Sequence, residues 1–530
     1  MFLDFDDGSQ APPRSTDICI VGAGVMGLAV ASQVLARSQR RVLLLEEGGL
    51  EDTESSSAVP AELHGGDLAS GVQGSRARGF GGSSRRWGGQ ALPFTPLDLQ
   101  DRPFAACRGG WPIGWEELNR YYPAADAFLG LSAIGFDRDL WRSPRLATAF
   151  AGGADLELSV SKYSPHAYLA NVHQGPIGRS QQADCLLHAR VAWIEAGPSP
   201  SRQPRITVRN RQGREATIEA RVIVLCAGGI ENPRILLHSQ DQAKIDLKAS
   251  ADVVGRYYQD HIGFFAARLE PLDWRLFQHL FSSFIPGNQK YVPKLQLSLE
   301  LQRRLGLLNV IGNLDVQEAP DSPRHAARRL YNSLRRRRPG DASLRSNLND
   351  FWRLFKAAPE AAALLNSHWL RRRIALPRQG RFFLMANAES EPLASSRILL
   401  SEQRDGHGLR RAQVNWRLSD HSLRALQSYG AAVRQTLERS GIAKVSLSPY
   451  LTDPEADWKE RAYSLYHHMG ATRMATNPAE GVVDAYGRVH GLAHVYVAGT
   501  SVLPSGSASN PSYTALALAL RTTERLLLES

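Results

Sequence analysis

One segment near the N-terminus constrains the fold more than any other: TDICIVGAGVMGLAVASQVLARSQRRVLLLEEGG, residues 16–49. An apolar strand-like run leads into Gly22, Gly24 and Gly27 in the spacing GxGxxG, a helix-like run follows, and a second apolar run ends in Glu46. In a βαβ unit such glycines let backbone N–H groups at a helix N-terminus approach a pyrophosphate, while the acid accepts hydrogen bonds from ribose hydroxyls. The segment predicts a dinucleotide-binding unit but does not separate NAD from FAD.

Two later glycine-rich stretches are interpreted as further parts of the same nucleotide site. Residues 79–89, GFGGSSRRWGG, place five glycines around Trp87. That composition suits backbone passing close to a flat ring or a diphosphate, although a flexible loop is the alternative. Residues 222–234, VIVLCAGGIENPR, indicate a buried strand, a second glycine turn at Gly228 and a helix. The nucleotide domain is therefore predicted to be assembled from separated pieces of chain.

The chain has 530 residues and a formal net charge of +11. That length exceeds what one hydrophobic core usually supports, so two domains, or one domain with a large insertion, are expected. Residues 324–381 contain 15 Lys and Arg against 3 Asp and Glu, which accounts for the whole positive excess and leaves the remainder close to neutral. The positive charge belongs to one segment, and no nucleic-acid partner is expected.

The basic segment has the pattern of a helical insertion. Between residues 344 and 356 apolar residues recur at helical spacing, and arginine and lysine fall off that line. We favour a solvated helical insertion at about 322–382. The alternative is an interfacial helix in residues 324–381 that contacts anionic lipid or an acidic partner protein.

Other whole-chain features predict an ordinary globular protein. No apolar run reaches the roughly 18–20 residues needed to span a bilayer, and the first residues carry three aspartates where a secretory signal would be positive. The four cysteines are widely spaced and form no CxxC, so neither a disulfide framework nor a zinc site is expected. No metal-binding motif is present. We expect a cytoplasmic protein, with peripheral membrane contact as the alternative.

The last seventy residues contain an uncommon stretch, YHHMGATRM, at 466–474. A buried strand-like run, VYVAG, follows at 495–499, then a polar Ser/Gly loop and an Ala/Leu-rich helix that begins near Asn510 and Pro511. Proline in the first turn after a capping asparagine is a helix start signal. Such an N-terminus presents free N–H groups and positive potential. Adjacent histidines alone are weak evidence for catalysis, so their surroundings must decide.

Taken together, these motifs resemble the glucose-methanol-choline (GMC) flavoprotein oxidoreductases. The resemblance rests on GAGVMG with Glu46, GGSSRRWGG, VLCAGGIENPR, VGRYYQDH and above all HHMGATRM followed by VYVAGTSVLPSGSASNPSYT, in that order. It covers most of the chain in outline and is densest at the two ends. Within the family the chain is most similar to bacterial relatives of pyranose oxidase and other sugar oxidoreductases.

The resemblance implies an FAD cofactor and particular site residues. The family pattern H-x-x-G-x-x-R-M puts the catalytic base at His467 and leaves His468 without an assigned role, and the partner position that opens the last helix falls on Asn510. A histidine suits proton abstraction near neutral pH, and an asparagine can bond the same oxygen without competing for the proton. The implied cofactor contacts are Gly22, Gly24, Gly27, Glu46, Gly82, Ser83, Trp87, Gly88, Val191, Ala227, Gly228, Gly499, Thr500, Pro511 and Ser512.

One departure from the family bears on how the cofactor is held. Some sugar-oxidising relatives attach FAD covalently through a histidine of the loop that reads SSRRWGG in this chain, and that position is Arg86. Arginine cannot form that bond, so non-covalent FAD is expected.

The resemblance also implies the fold and its division. We expect an α/β protein with a discontinuous Rossmann-like FAD-binding domain at 15–130, 180–260 and 462–530. An α+β substrate domain with a mainly antiparallel sheet is expected at 131–179 and 261–461, carrying the basic insertion.

The predicted reaction is oxidation of a secondary hydroxyl of a sugar, glycoside or sugar-derived metabolite to a ketone. The electron acceptor stays open between oxygen, a quinone and a protein. Three alternatives remain: the same fold acting on a sterol or other non-sugar alcohol, a non-redox lyase with structural FAD, and a partner-binding protein.

Several further residues receive structural interpretations. Asp260 and His261 match a recurrent family turn near the domain boundary, where a structural role is favoured. Arg473 is interpreted as part of a structural ion pair. His490 and His494, beside a strand-like run, are interpreted as ordinary hydrogen-bonded residues.

Overall fold

The structure is a computed structural model of the chain. It describes residues 1–8, 11–50, 63–68, 72, 74, 76–105, 110–136, 144–151, 155–197, 199, 201–286, 289–318 and 372–529. The predicted basic insertion at about 322–382 therefore lies largely outside the described residues.

The described strands and helices have the following bounds. The strands are β1 (Phe2–Asp4), β2 (Ser15–Val21), β3 (Val42–Leu45), β4 (Leu63–Gly66), β5 (Gln90–Ala91), β6 (Leu156–Tyr163), β7 (Ala183–Leu187), β8 (Arg190–Glu195), β9 (Arg205–Arg209), β10 (Glu215–Leu225), β11 (Ile262–Pro271), β12 (Tyr291–Leu297), β13 (Val310–Gln317), β14 (Arg381–Ala388), β15 (Arg397–Arg404), β16 (Arg410–Trp416), β17 (Ala443–Leu447), β18 (Tyr463–Ser464) and β19 (Val495–Val497). The helices are α1 (Val25–Arg37), α2 (Pro96–Leu99), α3 (Trp115–Asn119), α4 (Tyr122–Leu129), α5 (Pro144–Ala149), α6 (Ala170–Arg179), α7 (Glu231–Asp241), α8 (Trp274–Phe281), α9 (Leu299–Leu305), α10 (Asp420–Arg439), α11 (Pro449–Thr452) and α12 (Pro511–Glu529).

The first sheet has the strand order β1-β7-β3-β2-β10-β9-β8, with β19 also paired to β10. The pairs around β2, β3, β7 and β19 are parallel, whereas β8, β9 and β10 form an antiparallel extension. All four residues of β3, VLLL, are buried, as expected for a strand covered on both faces. Helices α1 and α12 pack against each other beside this sheet. This is the α/β arrangement expected from the N-terminal glycine motif.

The second sheet is antiparallel, with the order β17-β11-β14-β13-β12-β6-β5 and with β18 paired to β11. One face packs against α10, and its inward side chains include Phe264, Leu384 and Leu295. Ser419 begins α10 by accepting a hydrogen bond from the Ser422 N–H through its side chain, a normal helix cap. The mainly antiparallel second sheet agrees with the predicted fold class.

The opposite face of this sheet carries many polar side chains. Asn313 of β13 pairs with Met385 of β14, and Met385 pairs with Phe265 of β11, so these three residues share that face. Lys294 of β12 reaches the same face, because its Nζ donates to Asn313 Oδ1 at 3.2 Å. His261 stands directly before β11 and two residues before Gly263, so alternation puts it on the Gly263 side. The polar face is the one that carries His261.

A small third sheet joins β15, β16 and β4. Except for β1, the strands of the first sheet fall within the predicted FAD-binding ranges 15–130, 180–260 and 462–530. Two short strands from these ranges, β5 and β18, pair instead into the antiparallel sheet. The exact domain limits stay a prediction. None of the helices in the described part of the chain is long and apolar enough to cross a bilayer.

Candidate active site

A cavity of about 580 Å³ lies where the parallel strands end. Its walls include the last residues of β2 and β3 and the residues just after β10 and β19, so it sits at the carboxyl edge of the sheet. Ligands of open parallel sheets bind at this edge. The cavity volume lies within the usual range for small-molecule sites, roughly 300–1,000 Å³.

Most of the predicted cofactor contacts line this cavity. They are Gly22, Gly24, Glu46, Gly82, Ser83, Trp87, Gly88, Val191, Ala227, Gly228, Gly499, Thr500, Pro511 and Ser512. The two predicted catalytic residues, His467 and Asn510, line it as well, and so do Arg86 and His468. The structure thus brings together residues from both ends of the chain.

Gly27 is the predicted contact that the structure places elsewhere. It does not line the cavity, and a Cβ at this position would stand 1.9 Å from the carbonyl oxygen of Gly22. Its missing side chain lets α1 approach the glycine turn, which gives this glycine a packing role, and its contact with the cofactor stays a prediction. Gly22 differs, because its φ of +97° and a Cβ distance of 2.8 Å from the Cys226 carbonyl oxygen both exclude a side chain.

Glu46 organises the nucleotide end of the cavity. One carboxylate oxygen accepts the N–H of Ala23 at 3.0 Å, and the other accepts those of Gly48 at 2.9 Å and Gly79 at 2.8 Å. Burial raises the pKa of this carboxyl, while the three N–H donors oppose that rise. A carboxylate has about four acceptor positions, so the three backbone bonds leave room for one ribose hydroxyl.

The charges along the walls suit a diphosphate. Among the described lining residues there are five arginines and three glutamates: Arg76, Arg78, Arg86, Arg190, Arg234, Glu46, Glu47 and Glu231. Several of them pair, for example Arg190 with Glu47 at 2.5 Å and Arg76 with Glu231 at 2.8 Å. The excess of positive charge and the N-terminus of α1, which begins directly after the glycine turn, together fit an anionic dinucleotide.

The flavin side of the cavity is framed by the loop around Trp87 and by the start of α12. Trp87 is fixed by its indole N–H, which donates to the Ala167 carbonyl at 2.6 Å. Pro511 and Ser512 form the first turn of α12, a helix of 19 residues whose N-terminus opens on the cavity. A helix N-terminus carries partial positive charge, which favours negative charge on a neighbouring ring. The residues present therefore fit FAD.

Three hydrogen bonds define the other end of the cavity. Asn510 Nδ2 lies 3.2 Å from His467 Nε2, and His467 Nδ1 lies 2.8 Å from Nδ1 of His261. The remaining nitrogen of His261, Nε2, lies 3.1 Å from the carbonyl oxygen of Gly506. The two imidazole planes meet at 82°, edge to face. The sequence interpretation of His261 as part of a structural turn missed this direct contact with the predicted base.

Asp260 fastens the two histidine-bearing segments to each other. Its Oδ1 accepts the backbone N–H groups of His261 and His467, each at 2.7 Å, and its Oδ2 accepts the Ser464 hydroxyl at 2.6 Å. The His468 ring also lies near this carboxyl, with Nε2 3.8 Å from Oδ2. Burial raises the pKa of Asp260 to about 7 against the opposing effect of its donors.

Both histidines of the pair are held in the neutral form. Burial is the main cause that lowers the pKa of His467 well below its usual value and that of His261 to about 4. The buried ammonium of Lys294 lowers both further. A neutral imidazole at the cavity wall can accept a proton, which is the property that a general base needs.

Two comparisons of sequence decide the family. Residues 392–519 match the family profile described as GMC oxidoreductase, and residues 17–249 match the one described as FAD dependent oxidoreductase. The chain belongs to the GMC oxidoreductases. It is an FAD-dependent enzyme that acts on CH–OH donors.

Relatives of this GMC oxidoreductase oxidise different alcohols. It is 23% identical over 502 residues to 2-methyl-1,2-propanediol dehydrogenase of Mycolicibacterium austroafricanum, covering 83% of this chain and 79% of that protein. It is 22% identical over 564 residues to 6'''-hydroxyparomomycin C oxidase of Streptomyces lividus, covering 97% and 91%. It is 21% identical over 592 residues to the fructose dehydrogenase large subunit of Gluconobacter japonicus, covering 97% and 98%.

Solved structures share the fold of this GMC oxidoreductase. Pyridoxine 4-oxidase from Mesorbium loti superposes with a TM-score of 0.59 at 17% identity, covering 97% of this chain and 100% of the other. A fungal aryl-alcohol oxidase gives a TM-score of 0.58 at 15% identity, covering 98% and 100%. At such identities the likeness concerns the fold alone.

Some functional positions of this GMC oxidoreductase escaped the sequence reasoning. The cavity arginines other than Arg86, and Glu231, were not predicted, although Arg76 and Arg78 shortly precede the glycine loop and Glu231 follows the Gly228 turn. The available signal was their closeness in sequence to predicted contacts. Arg473 does not line the cavity: its Nε donates to the Glu480 carbonyl at 2.7 Å.

Proposed function

We propose that this GMC oxidoreductase oxidises a secondary hydroxyl of a sugar, glycoside or sugar-derived metabolite to a ketone, with His467 as the base and with FAD held non-covalently. The observation that carries the proposal is the 3.2 Å pairing of His467 Nε2 with Asn510 Nδ2 on the wall of the cavity that fits FAD. An acceptor and a donor at this separation can both bond one alcohol oxygen.

The residues divide the reaction between them. Asn510 donates an N–H to the substrate oxygen and fixes the orientation of the carbon that bears it. His467 takes the hydroxyl proton as the O–H bond breaks and the carbonyl forms. FAD, when bound, supplies the acceptor for the hydride that leaves the carbon. The N-terminus of α12, which opens on the cavity, would favour negative charge on a bound flavin ring.

The polar face of the antiparallel sheet supports a substrate rich in hydroxyl groups. Lys294, Gln296 and Asn387 are all at least nine-tenths buried on the face that carries His261. Lys294 donates to Asn313 Oδ1 at 3.2 Å and Gln296 donates to Asn309 Oδ1 at 3.3 Å, and none of the three residues lines the cavity. They give the histidine pair polar surroundings, which suit a hydroxylated substrate better than a sterol.

Non-covalent attachment is supported by the residue in the flavin loop. Arg86 occupies the position where some sugar-oxidising relatives carry the linking histidine, and it lines the cavity. An arginine side chain offers N–H donors and no acceptor, so it does not supply the nucleophilic ring nitrogen that a histidine link needs. Acid precipitation should release the flavin into the supernatant; flavin that stays with the precipitated protein would contradict this part of the proposal.

The test is a substrate screen under anaerobic conditions. FAD-loaded protein is mixed with sugars, glycosides and simple alcohols, and flavin bleaching is followed by stopped flow. Sugars or glycosides should bleach the flavin, and His467→Ala should lower the rate constant about 10²–10⁴-fold while FAD stays bound. A parallel assay of peroxide and of dye reduction reports the electron acceptor.

His166→Ala is the matched control, because His166 is exposed and does not line the cavity. This variant should behave like the unmodified protein. Near-normal bleaching in His467→Ala would overturn the assignment of the base. Bleaching by sterols or aliphatic alcohols alone would overturn the substrate class.

A further inference from the structure

The contact between His261 and His467 joins two residues that lie 206 positions apart in the chain. Both residues are held by Asp260, whose Oδ1 accepts both backbone N–H groups. His261 is completely buried, and no part of its ring reaches the cavity. It cannot touch the substrate, so any effect of His261 on the reaction must pass through His467.

The bonds of the pair fix where each hydrogen lies. The carbonyl oxygen of Gly506 can only accept, so Nε2 of His261 carries the hydrogen and donates to it. A neutral imidazole has one N–H, which leaves Nδ1 of His261 as an acceptor. Two bare nitrogens 2.8 Å apart would repel, so Nδ1 of His467 must donate to Nδ1 of His261.

The same reasoning assigns the last nitrogen. With its hydrogen on Nδ1, a neutral His467 has a bare lone pair on Nε2, which accepts the N–H of Asn510. Three bonds then run in one direction, from Asn510 to His467, from His467 to His261 and from His261 to Gly506. The opposite tautomer of His467 would place an N–H against the amide N–H of Asn510 and a lone pair against His261.

The electrostatic surroundings keep this arrangement in the neutral state. The charged or titratable groups that act on His261 are Glu389, which favours its protonation, and Lys294, which opposes it. Burial exceeds both, so the pKa of His261 falls to about 4. His467 experiences Lys294, His261 and His468, all of which lower its pKa. At neutral pH neither imidazole therefore carries a second proton, and each ring keeps the single tautomer that its hydrogen bonds select.

We propose that His261 is a positioning residue, which holds His467 in the Nδ1–H tautomer and so makes Nε2 the atom that receives the hydroxyl proton of the substrate. The inference rests on the proposed role of His467. The proton balance is simple: the alcohol O–H bond breaks, its proton goes to Nε2, and the resulting imidazolium still donates from Nδ1 to His261. His261 could pass a proton on only to the weakly basic carbonyl oxygen of Gly506, so the proton taken from the substrate stays on His467.

The tautomer can be measured without any substrate. FAD-loaded protein carrying ¹⁵N-labelled histidine is studied by long-range ¹H–¹⁵N correlation at pH 7, with His467→Ala used to assign the signals. We expect His467 as the Nδ1–H tautomer and His261 as the Nε2–H tautomer. An Nε2–H tautomer at His467 would overturn the inference.

Two substitutions at His261 separate the bond from the bulk of the ring. In His261→Gln the amide oxygen can accept from His467 and the amide nitrogen can donate to Gly506, so the direction of the chain is kept. In His261→Met both bonds are lost while the volume is largely retained. Flavin reduction in His261→Met should fall at least about 10-fold, because a base in the wrong tautomer can cost up to about 10⁴-fold, and His261→Gln should recover most of that loss.

Controls distinguish this inference from general damage and from failure of the proposed function. FAD content and thermal midpoint are measured for both variants, and equal rates in correctly loaded Met and Gln variants would overturn the positioning role. The pH profile adds a second readout, since only His261→Met should show an altered apparent pKa in flavin reduction. If no alcohol bleaches the flavin, the proposed function fails, and the NMR result on its own still decides the tautomer.

Discussion

The two ends of the cavity are built in different ways, although each depends on a buried carboxylate. At the nucleotide end Glu46 accepts three backbone N–H groups from Ala23, Gly48 and Gly79. At the histidine end Asp260 accepts two backbone N–H groups and the hydroxyl of Ser464. Glu46 shapes a loop around a ligand, whereas Asp260 ties together two distant segments that carry the reactive side chains.

The difference lies in sequence distance. The nucleotide end is formed mainly by a single βαβ unit and the glycine loop that follows it. The histidine end needs residues 260–261, 464–468 and 506–510 to meet at separations of about 3 Å. The nucleotide end offers mostly backbone donors, and the histidine end offers side chains in one directed chain of hydrogen bonds. Changes at the two ends should therefore affect cofactor affinity and reaction rate separately.

Apart from loss of the base itself, the largest effect is expected from Asn510→Ala. This change removes the donor proposed to bond the substrate oxygen next to His467, and loss of one such donor typically costs about 10²–10³-fold in rate. FAD affinity should stay within a few-fold of the unmodified value. The measurements are stopped-flow flavin reduction and the fluorescence of released flavin.

Asn477→Ala serves as its control, because Asn477 is exposed and does not line the cavity. The opposite result would be weaker FAD binding in Asn510→Ala with a normal rate of flavin reduction once the variant is saturated with FAD. That result would contradict the separation of cofactor affinity from reaction rate between the two ends of the cavity.

The second effect is expected from Glu46→Gln. An amide nitrogen in place of one oxygen would face backbone donors, and a buried donor left unsatisfied costs about 1–3 kcal/mol. We expect FAD affinity to fall about 5–150-fold, the factor equivalent to that free energy, with little change in the reduction rate of the saturated enzyme. Titration of the apoprotein with FAD gives the affinity.

The exposed Glu219→Gln is the matched control and should bind FAD normally. A slow reduction rate with unchanged FAD affinity in Glu46→Gln would contradict the assignment of cofactor affinity to the nucleotide end and of reaction rate to the histidine end.

The contrast also explains what could be predicted from the sequence. The GxGxxG spacing and Glu46 lie within one local unit whose geometry follows from strand, turn and helix, so the α/β fold and the nucleotide end were predictable. The catalytic roles of His467 and Asn510 stay predictions that rest on the family resemblance, and the structure brings the two side chains within 3.2 Å of each other. Local sequence gave no sign that His261 meets His467, because that contact depends on how β11 and β18 pair.

Gly27 shows the opposite limit. The motif is read as a set of cofactor contacts, yet this glycine is needed for the approach of α1 to the Gly22 turn. The spacing of the motif shows which positions require glycine, but it does not show which neighbouring atoms a side chain at each position would clash with. The arginines along the walls were missed for a related reason, since a charged residue in a loop has many possible neighbours until the chain is folded.

The smallest effect is expected at Asp260 and concerns stability against pH. Its folded-state pKa is about 7 against 3.8 for the ordinary carboxyl, so the folded protein binds a proton between these values that the unfolded chain has released. Stability must then fall as pH rises from 4 to 7, by about 1.4 kcal/mol per pH unit from this group alone. Asp260→Asn has no ionisable carboxyl at this position and loses that slope, whereas the contributions of His261 and His467 remain in both proteins.

The thermal midpoints of FAD-loaded Asp260→Asn and the unmodified protein are therefore compared at pH 5 and pH 7. Asparagine also places an N–H group among donors, so the variant should be the less stable one at pH 5. Only the unmodified protein is destabilised by ionisation of residue 260. The difference between the two thermal midpoints should therefore be smaller at pH 7 than at pH 5, by about 2–3 °C for a chain of this size. A constant gap would mean that Asp260 is already ionised at pH 5. The histidine end would then hold a fixed negative charge, and the neutral state of the His261–His467 pair would depend on burial and Lys294 acting against it.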